Sequence, residues 1–191
     1  MRWLILWALA WPLLGQAGAQ IEEPLSVSVR AGLQKAVSDT APPKLMFDSE
    51  DEGKRWMADM SQRLQTRIPD ADFRRNFLIA VQYEAKRAGL DPQLVLGLIQ
   101  VESGFKKYAV SSAGARGFMQ VMPFWVKSIG TPDQDLFHLR INLRYGCTIL
   151  RHYLDVEQGN LFRALSRYNG SLGQAQYPNK VVAAWRHHWA Y

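Results

Sequence analysis

Hydrophobic residues recur every three or four positions over most of the chain after residue 50, which is the spacing of one helix face. No stretch alternates between apolar and polar residues for long enough to predict a strand. The pattern therefore predicts an all-α fold. The series that carry it are Trp56-Met60-Leu64, Phe73-Phe77-Val81-Ala85 with Leu78, Leu143-Cys147-Leu150-Leu154, Leu161-Leu165-Tyr168, and Val181-Val182-Trp185-Trp189.

Polar residues, glycine and proline mark several helix boundaries. Gly89-Leu90 ends one apolar series with the glycine and apolar pair of a left-handed C-terminal cap. Asp91 and Pro92 follow directly, and they predict an N-cap and the first residue of the next helix. Asn160 predicts a further N-cap ahead of Leu161.

The first nineteen residues have the features of an export signal. Arg2 precedes an apolar run from Trp3 to Leu14, and Ala17-Gly18-Ala19 supplies small residues at the cleavage site. The alternative is a membrane anchor, but the run is shorter than the roughly 20 apolar residues that span a bilayer. No cysteine follows the run, so lipid attachment has no acceptor. We predict a signal peptide at 1–19, no stable membrane anchor, and a periplasmic or secreted product.

Residues 20–50 differ in composition from the rest of the chain. They contain Pro24, Pro42 and Pro43 and few large apolar residues at regular spacing. We predict a largely extended linker or leader with a short helix near Leu33 to Val37. The catalytic domain is then expected at 51–191.

Composition limits the classes of site and partner. The chain is 48% hydrophobic and 21% charged, which is typical of a globular protein. One cysteine excludes an internal disulfide framework, and the four histidines show no metal-ligand spacing, so we expect neither a metal nor another cofactor. A net charge of +6 favours anionic partners such as lipid headgroups, acidic glycans or wall polymer. We expect no nucleic acid partner, because the export signal and the absence of Lys and Arg from 92–102 argue against one.

Glu102 is the strongest candidate for acid-base chemistry. It ends the segment 92–102, which is apolar nearly all round and is therefore predicted to be a buried helix. Val95, Leu98 and Ile99 share its face. Burial and the negative end of the helix both disfavour a charged carboxylate and raise its pKa, as a general acid requires. The alternative is a structural glutamate that caps a helix or pairs with a neighbouring cation.

Three ordered motifs surround this residue. They are Glu102-Ser103-Gly104-Phe105, Ala109-Val110-Ser111 followed by the run from Gly114 to Pro123, and Ala164-Leu165-Ser166-Arg167-Tyr168-Asn169-Gly170. Over residues 70–190 this arrangement resembles the soluble lytic transglycosylases, peptidoglycan-cleaving enzymes related to goose-type lysozymes. The resemblance implies a lysozyme-like helical domain.

The resemblance also implies roles for individual residues. Glu102 would be the single catalytic acid and base. Tyr168 would place its hydroxyl near the Glu102 carboxyl, with Asn169 beside it. The remaining substrate-binding positions would be Ser111 at the substrate or catalytic carboxyl and Gln120 and Met122 in the glycan cleft. Each has a structural alternative, since Ser111 can cap a helix, Met122 can fill the core and Tyr168 can close a helix face. Arg167 departs from the family pattern, which usually has alanine before the Tyr-Asn pair.

The number of carboxylates bears on the implied reaction. Most glycosidases use two carboxylates, whereas Val95 to Pro123 contains only Glu102. The resemblance implies cleavage of the N-acetylmuramic acid to N-acetylglucosamine bond of peptidoglycan glycan strands, with the muramoyl 6-hydroxyl closing a 1,6-anhydro ring. The alternatives are hydrolysis by a lysozyme-type muramidase and a non-catalytic wall-binding component of a secretion apparatus. The sequence leaves a secretion-system or cell-wall machinery partner open.

Overall fold

The structure is a computed structural model that describes residues 20–191, so the predicted signal peptide lies outside the described residues. Within this range the fold is helical, which confirms the predicted all-α class. β-type pairing is limited there to two isolated bridges, Val110–Arg116 and Arg116–Val121. None of the described helices is long and apolar enough to cross a membrane. The elements are α1 Val27–Val37, α2 Glu50–Leu64, α3 Ala71–Arg87, α4 Pro92–Glu102, α5 Phe124–Ile129, α6 Leu139–Val156, α7 Leu161–Tyr168, α8 Gln176–Ala184 and a terminal π-helix Trp185–Trp189.

Helix α4 lies in the centre of the core and packs against α3, α8 and the terminal π-helix. Its residues from Leu94 to Ile99 are buried. Gly97 permits close packing of α4 against the terminal π-helix, because a Cβ at position 97 would lie 2.8 Å from the backbone nitrogen of Trp185. The absence of a side chain at this position therefore fixes how near α4 comes to the C-terminal helices.

The predicted helix boundaries are present. The Asp91 side chain accepts a hydrogen bond from the backbone N–H of Gln93 at 2.7 Å, with Pro92 in the first helical position. Gly89 has a φ of 66°, and the backbone N–H of buried Leu90 donates to the Ala85 carbonyl at 2.8 Å. These bonds satisfy terminal backbone groups of α3 and α4 and fix the turn between them.

A buried ion pair joins α3 to α6. Arg144 donates to the Glu84 carboxylate at 2.7 Å, and the Glu84 side chain is fully buried. Arg87 donates to the same carboxylate at 3.0 Å. Two guanidinium groups thus balance the negative charge of Glu84. This compensation is needed because burying an unpaired carboxylate is strongly unfavourable.

The short helix predicted near Leu33 to Val37 is present, and it begins earlier than predicted. Residues Val27–Val37 form α1, whose Leu33 and Val37 are buried against the domain. The extended part that follows is also attached, because Gln82 exchanges two hydrogen bonds with the backbone of Met46, at 2.9 and 2.7 Å. The sequence pattern located only the C-terminal part of this helix, because its buried residues are Leu33 and Val37.

Candidate active site

Glu102 lies at the C-terminal end of α4, where its carboxylate accepts a hydrogen bond from the Tyr177 hydroxyl. The residue is partly buried. Removal of the carboxyl from water raises its pKa to about 8, while the Tyr177 hydrogen bond acts in the opposite direction. The upward direction agrees with the expectation from the apolar helix. At neutral pH the carboxyl is therefore mainly protonated and able to donate.

Tyr177 is not among the site residues predicted from the sequence. It lies in the first turn of α8 and is buried. Burial, followed by the charge of Glu102 and the hydrogen bond to it, holds the pKa of Tyr177 well above the ordinary tyrosine value. In the sequence, Tyr177 precedes Val181 and Ala184 at helical spacing, so it is indistinguishable from an ordinary core residue.

The loop between α4 and α5 contains the glycine-rich motif and is held by Asn142 of α6. The Asn142 side-chain oxygen accepts from the Met119 N–H at 2.8 Å, and its amide donates to the carbonyls of Arg116 and Leu136 at 2.8 and 2.9 Å. Asn142 is fully buried. Sequence reasoning missed it, although a polar residue beside the buried face of α6 was the available signal.

Gly117 makes the approach of this loop to α6 feasible. Its φ is 75°, and a Cβ at this position would lie 2.4 Å from the Asn142 side-chain nitrogen and 2.6 Å from the Leu136 carbonyl oxygen. Both the backbone conformation and the available space therefore require glycine.

Tyr168 is near enough to Glu102 for that charge to affect its pKa, but its hydrogen bond goes to the motif loop. Its hydroxyl donates to the Met119 carbonyl at 2.7 Å, and the hydroxyl that contacts Glu102 belongs to Tyr177. Tyr168 is buried, and burial, followed by the Glu102 charge, raises its pKa well above the usual value. The side chain thus fixes the motif loop from the α7 side.

Ser111 and Gln120 are engaged within the loop. The Ser111 hydroxyl accepts from the Ala115 N–H at 3.1 Å, which closes a local turn. The Gln120 amide donates to the carbonyls of Ala109 and Gly117 at 3.1 and 2.9 Å, and its φ is 49°. Both side chains shape the loop, and neither hydrogen-bonds to Glu102.

Met122 and Asn169 complete the predicted set. Met122 is partly buried, and its backbone N–H donates to the side-chain oxygen of Gln20 at 3.3 Å. Asn169 caps the end of α7 and donates from its amide to the Ser171 hydroxyl at 3.1 Å. The structure thus places the predicted substrate-binding residues in one loop and its neighbours, and none of them hydrogen-bonds to Glu102.

Within residues 20–191 no group of three or more His, Cys, Asp and Glu side chains is arranged to hold a metal ion. The hydrogen-bonding partner of the Glu102 carboxyl is a neutral hydroxyl. The arrangement is therefore equipped for proton transfer by a carboxylic acid in an apolar, partly open site.

Residues 79–184 match the protein family described as the Transglycosylase SLT domain. The chain belongs to this family. The matched residues include Glu102, Tyr177, Asn142 and the whole motif loop of this SLT domain. Helices α1 and α2 precede the matched segment.

Individual relatives share shorter stretches with this SLT domain protein. A "Transglycosylase" of Enterobacteria phage PRD1 is 37% identical over 100 residues, which cover 49% of this chain and 37% of the relative. A "Membrane-bound lytic murein transglycosylase C" of Actinobacillus pleuropneumoniae serotype 5b (strain L20) is 53% identical over 49 residues, which cover 26% of this chain and 13% of the relative. The chain thus spans little more than a third of these curated relatives at most.

A solved structure also aligns with much of the SLT domain protein. It is an inactive mutant of the lytic transglycosylase Slt from Pseudomonas aeruginosa, with a TM-score of 0.44 and 23% sequence identity. The alignment covers 72% of this chain and 26% of that one.

Proposed function

We propose that this protein is an exported lytic transglycosylase that cleaves the β-1,4 bond between N-acetylmuramic acid and N-acetylglucosamine in peptidoglycan. The observation that carries the proposal is the Glu102 carboxyl, whose pKa is raised to about 8 in the SLT domain. The names of the two relatives, a transglycosylase and a lytic murein transglycosylase, support the same substrate.

Glu102 is suited to act first as an acid and then as a base. With a pKa near 8 it is protonated at neutral pH and can donate to the glycosidic oxygen as that bond breaks. The Tyr177 hydroxyl already donates to the carboxyl and stabilises the carboxylate that is formed. The carboxylate then accepts the proton of the muramoyl 6-hydroxyl, whose oxygen forms the new bond to the anomeric carbon. The proton returns to Glu102, and no water is consumed.

The surroundings of Glu102 favour this route over a two-carboxylate mechanism. Burial and the Tyr177 hydrogen bond account for its pKa, with no contribution from another carboxylate among the described residues. A retaining glycosidase would place a second carboxyl group about 5–5.5 Å away, close enough to affect that pKa strongly. In the proposed reaction the attacking group is the muramoyl 6-hydroxyl of the substrate, and attack by water with the same acid is the alternative that the products distinguish.

The test is digestion of purified peptidoglycan with Glu102→Gln beside the wild-type protein. Glutamine keeps the shape but exchanges no proton, so we expect the rate to fall about 10²–10⁴-fold. Exposed Glu50, on α2, provides the matched control as Glu50→Gln, which should retain the wild-type rate. Wild-type products should be 18 Da lighter than hydrolysis products, because ring closure replaces the addition of water.

Two results would contradict the proposal in different ways. Products with reducing muramic ends would identify a muramidase that uses the same acid. Digestion by Glu102→Gln at the wild-type rate would remove Glu102 from the chemistry altogether.

We also propose that residues 1–19 direct export and are removed after Ala19, which would leave a catalytic domain at 51–191 preceded by α1 and its flanking segments. The basis is the sequence of the first nineteen residues. Export would bring the basic chain to the cell wall, and a secretion-system or wall-machinery partner is compatible with that location. The intact mass of the exported protein should correspond to a chain that begins at Gln20, whereas a membrane fraction that retains Met1 would contradict this.

A further inference from the structure

Residues 20–25, here called the strap, cross the surface beside the motif loop with one side chain buried. Ile21, Glu22, Glu23 and Pro24 are exposed, whereas Gln20 is only 4% exposed. A segment that leaves most of its residues in solvent but buries a glutamine must satisfy the polar groups of that side chain. The partners it uses belong to the loop that follows Glu102.

The Gln20 carboxamide bridges two backbone groups of this loop. Its oxygen accepts from the Met122 N–H at 3.3 Å, and its nitrogen donates to the Gln120 carbonyl at 3.4 Å. The amide also lies beside the Tyr168 hydroxyl. The pKa of that hydroxyl is raised by burial and by Glu102, while Gln20 opposes the increase. Gln20 thus occupies a position between the loop and the tyrosine that ends α7.

The backbone groups that hold Gln20 are of the same kinds as those that pair with the amide of an N-acetylated sugar. A 2-acetamido substituent contains one amide N–H donor and one carbonyl acceptor, and the loop offers one backbone acceptor and one backbone donor. The Gln20 amide supplies the same two kinds of group from within the chain. While it is bound, neither the Met122 N–H nor the Gln120 carbonyl is fully available to an external amide.

The rest of the strap is attached by weak, reversible contacts. Glu23 pairs with Arg167 at 2.9 Å, and both side chains retain solvent exposure. Leu25 packs at the edge of the hydrophobic core. An exposed ion pair and two long neutral hydrogen bonds contribute little each, so the strap can leave the loop without unfolding the domain. Arg167 directly precedes Tyr168, so this ion pair holds the strap against the same side of the site.

We propose that the strap is an intramolecular competitor that occupies part of the glycan-binding surface and is displaced when an N-acetylated glycan strand binds. The identity of the ligand rests on the proposed function, whereas the position of the strap does not. Only molecules in which Gln20 is detached from the loop can bind glycan at this position. The apparent Kd is therefore the intrinsic Kd divided by the fraction of such molecules. Weakening its attachment therefore increases affinity without altering the residues that contact the substrate.

The first experiment measures binding without turnover. In a full-length Glu102→Gln background, titration calorimetry with a β-1,4-linked tetramer of N-acetylglucosamine compares Gln20→Ala, Glu23→Gln and the unmodified strap. Loss of two neutral hydrogen bonds should tighten binding by about 3–10-fold in Gln20→Ala. Glu23→Gln should tighten it by about twofold, in keeping with an exposed ion pair. Glu22→Gln is the matched control, because it removes an adjacent exposed charge, and its affinity should be unchanged.

The second experiment follows the strap itself through a spin label attached at Glu22→Cys, an exposed position. Saturating tetramer should increase the mobility of this label in the chain with Gln20 intact, because the strap then leaves the loop. In hydrogen exchange without ligand, the Met122 backbone N–H, which donates to Gln20, should exchange faster in Gln20→Ala. A label mobility that does not change with tetramer would contradict displacement of the strap.

The outcomes separate this proposal from the proposed function. Equal affinities for Gln20→Ala and the unmodified strap, or weaker binding by Gln20→Ala, would overturn the competitor role while leaving peptidoglycan cleavage untouched. Tighter binding by Gln20→Ala, with no cleavage of peptidoglycan by the chain with Glu102 intact, would support the strap and overturn the proposed reaction.

Discussion

At the scale of single residues, the environment of Glu102 creates a conflict between stability and chemistry. Burial raises the pKa of the carboxyl from an ordinary 4.5 to about 8. Between these two values the folded protein holds a proton that the unfolded chain has released. Folding stability therefore decreases as the pH rises from about 4.5 towards 8, because the unfolded state binds fewer protons in this range. A site that keeps an acid protonated at neutral pH thus lowers the free energy of unfolding.

Glu102→Gln should consequently be more stable than the wild-type protein at neutral and alkaline pH. We expect a gain of about 2 kcal/mol in the free energy of unfolding at pH 7, after allowance for the solvent that reaches the carboxyl. The gain should shrink at pH 4, where both states of the wild-type protein hold the proton. Urea denaturation at pH 4, 7 and 8 measures this trend. A difference between variant and wild type that does not change with pH would contradict the raised pKa.

Tyr177 and Tyr168 are expected to differ in their effect on the pH profile. Tyr177→Phe removes a hydrogen bond that lowers the pKa of Glu102, so that pKa should rise. Glu102 then stays protonated to higher pH, and the alkaline limb of kcat/KM should move to higher pH. The carboxylate formed during the reaction also loses its donor, and kcat should fall about tenfold.

Tyr168→Phe serves as the comparison in this experiment. The Tyr168 hydroxyl donates to the Met119 carbonyl and not to Glu102. The alkaline limb of kcat/KM should therefore stay at the wild-type pH in Tyr168→Phe, even where activity is reduced. If both variants shift the limb equally, Tyr177 has no special relation to the acid.

At the scale of secondary-structure elements, the motif loop depends on α6 for its conformation. Asn142 of α6 holds two backbone groups of the loop and one of the segment between α5 and α6. Met119 packs against Gly146 of the same helix, where a Cβ would lie 2.3 Å from the Met119 sulfur. The glycine-rich segment is therefore fixed by a helix that begins at Leu139, well beyond the loop itself. Its rigidity arises from tertiary contacts with α6.

Two glycines of this loop provide a direct comparison. Gly117→Ala places a Cβ within 2.6 Å of Asn142 and Leu136 and adds strain at a φ of 75°, so we expect destabilisation by about 3 kcal/mol or more. Gly114 has a φ of 87°, but a methyl group added there would meet no atom within 4 Å, so Gly114→Ala should cost about 1–2 kcal/mol. Thermal denaturation of the two variants measures the difference. Equal losses of stability in the two variants would show that backbone strain alone, without the close contact to α6, explains why position 117 requires glycine.

At the scale of the whole molecule, the buried Glu84–Arg144 ion pair connects α3 to α6, and Arg87 of α3 adds a second cation to the same carboxylate. Glu84→Gln leaves two buried or partly buried guanidinium groups without a counter-charge, and we expect a loss of about 3–5 kcal/mol. The exposed Lys54–Glu50 pair offers the contrast, since Glu50→Gln should change stability by less than about 1 kcal/mol. Urea unfolding curves of both variants give the comparison. A small loss for Glu84→Gln would mean that Arg87 and Arg144 find other partners.

The extent to which the sequence predicts this protein depends on whether an interaction is local. Helical spacing predicts the core faces of α2, α3 and α6, and cap residues such as Asp91 predict helix ends, because both signals arise within a few residues. The contact between Tyr177 and Glu102 spans 75 residues, and that between Gln20 and Met122 spans 102. Neither contact leaves a periodic trace in the sequence, so the hydrophobic pattern predicts neither of them.

The burial of Cys147 has a practical consequence for work on this protein. The residue is the one cysteine in the sequence, and it is fully buried in α6, where desolvation raises the pKa of its thiol far beyond the usual range. Since the thiolate is the reactive form, maleimides and spin-label reagents should leave it unmodified in the folded state. A cysteine introduced at exposed Glu22 would then be the sole site of attachment for a fluorophore. The native chain thus needs no prior removal of its own thiol before such probes are attached.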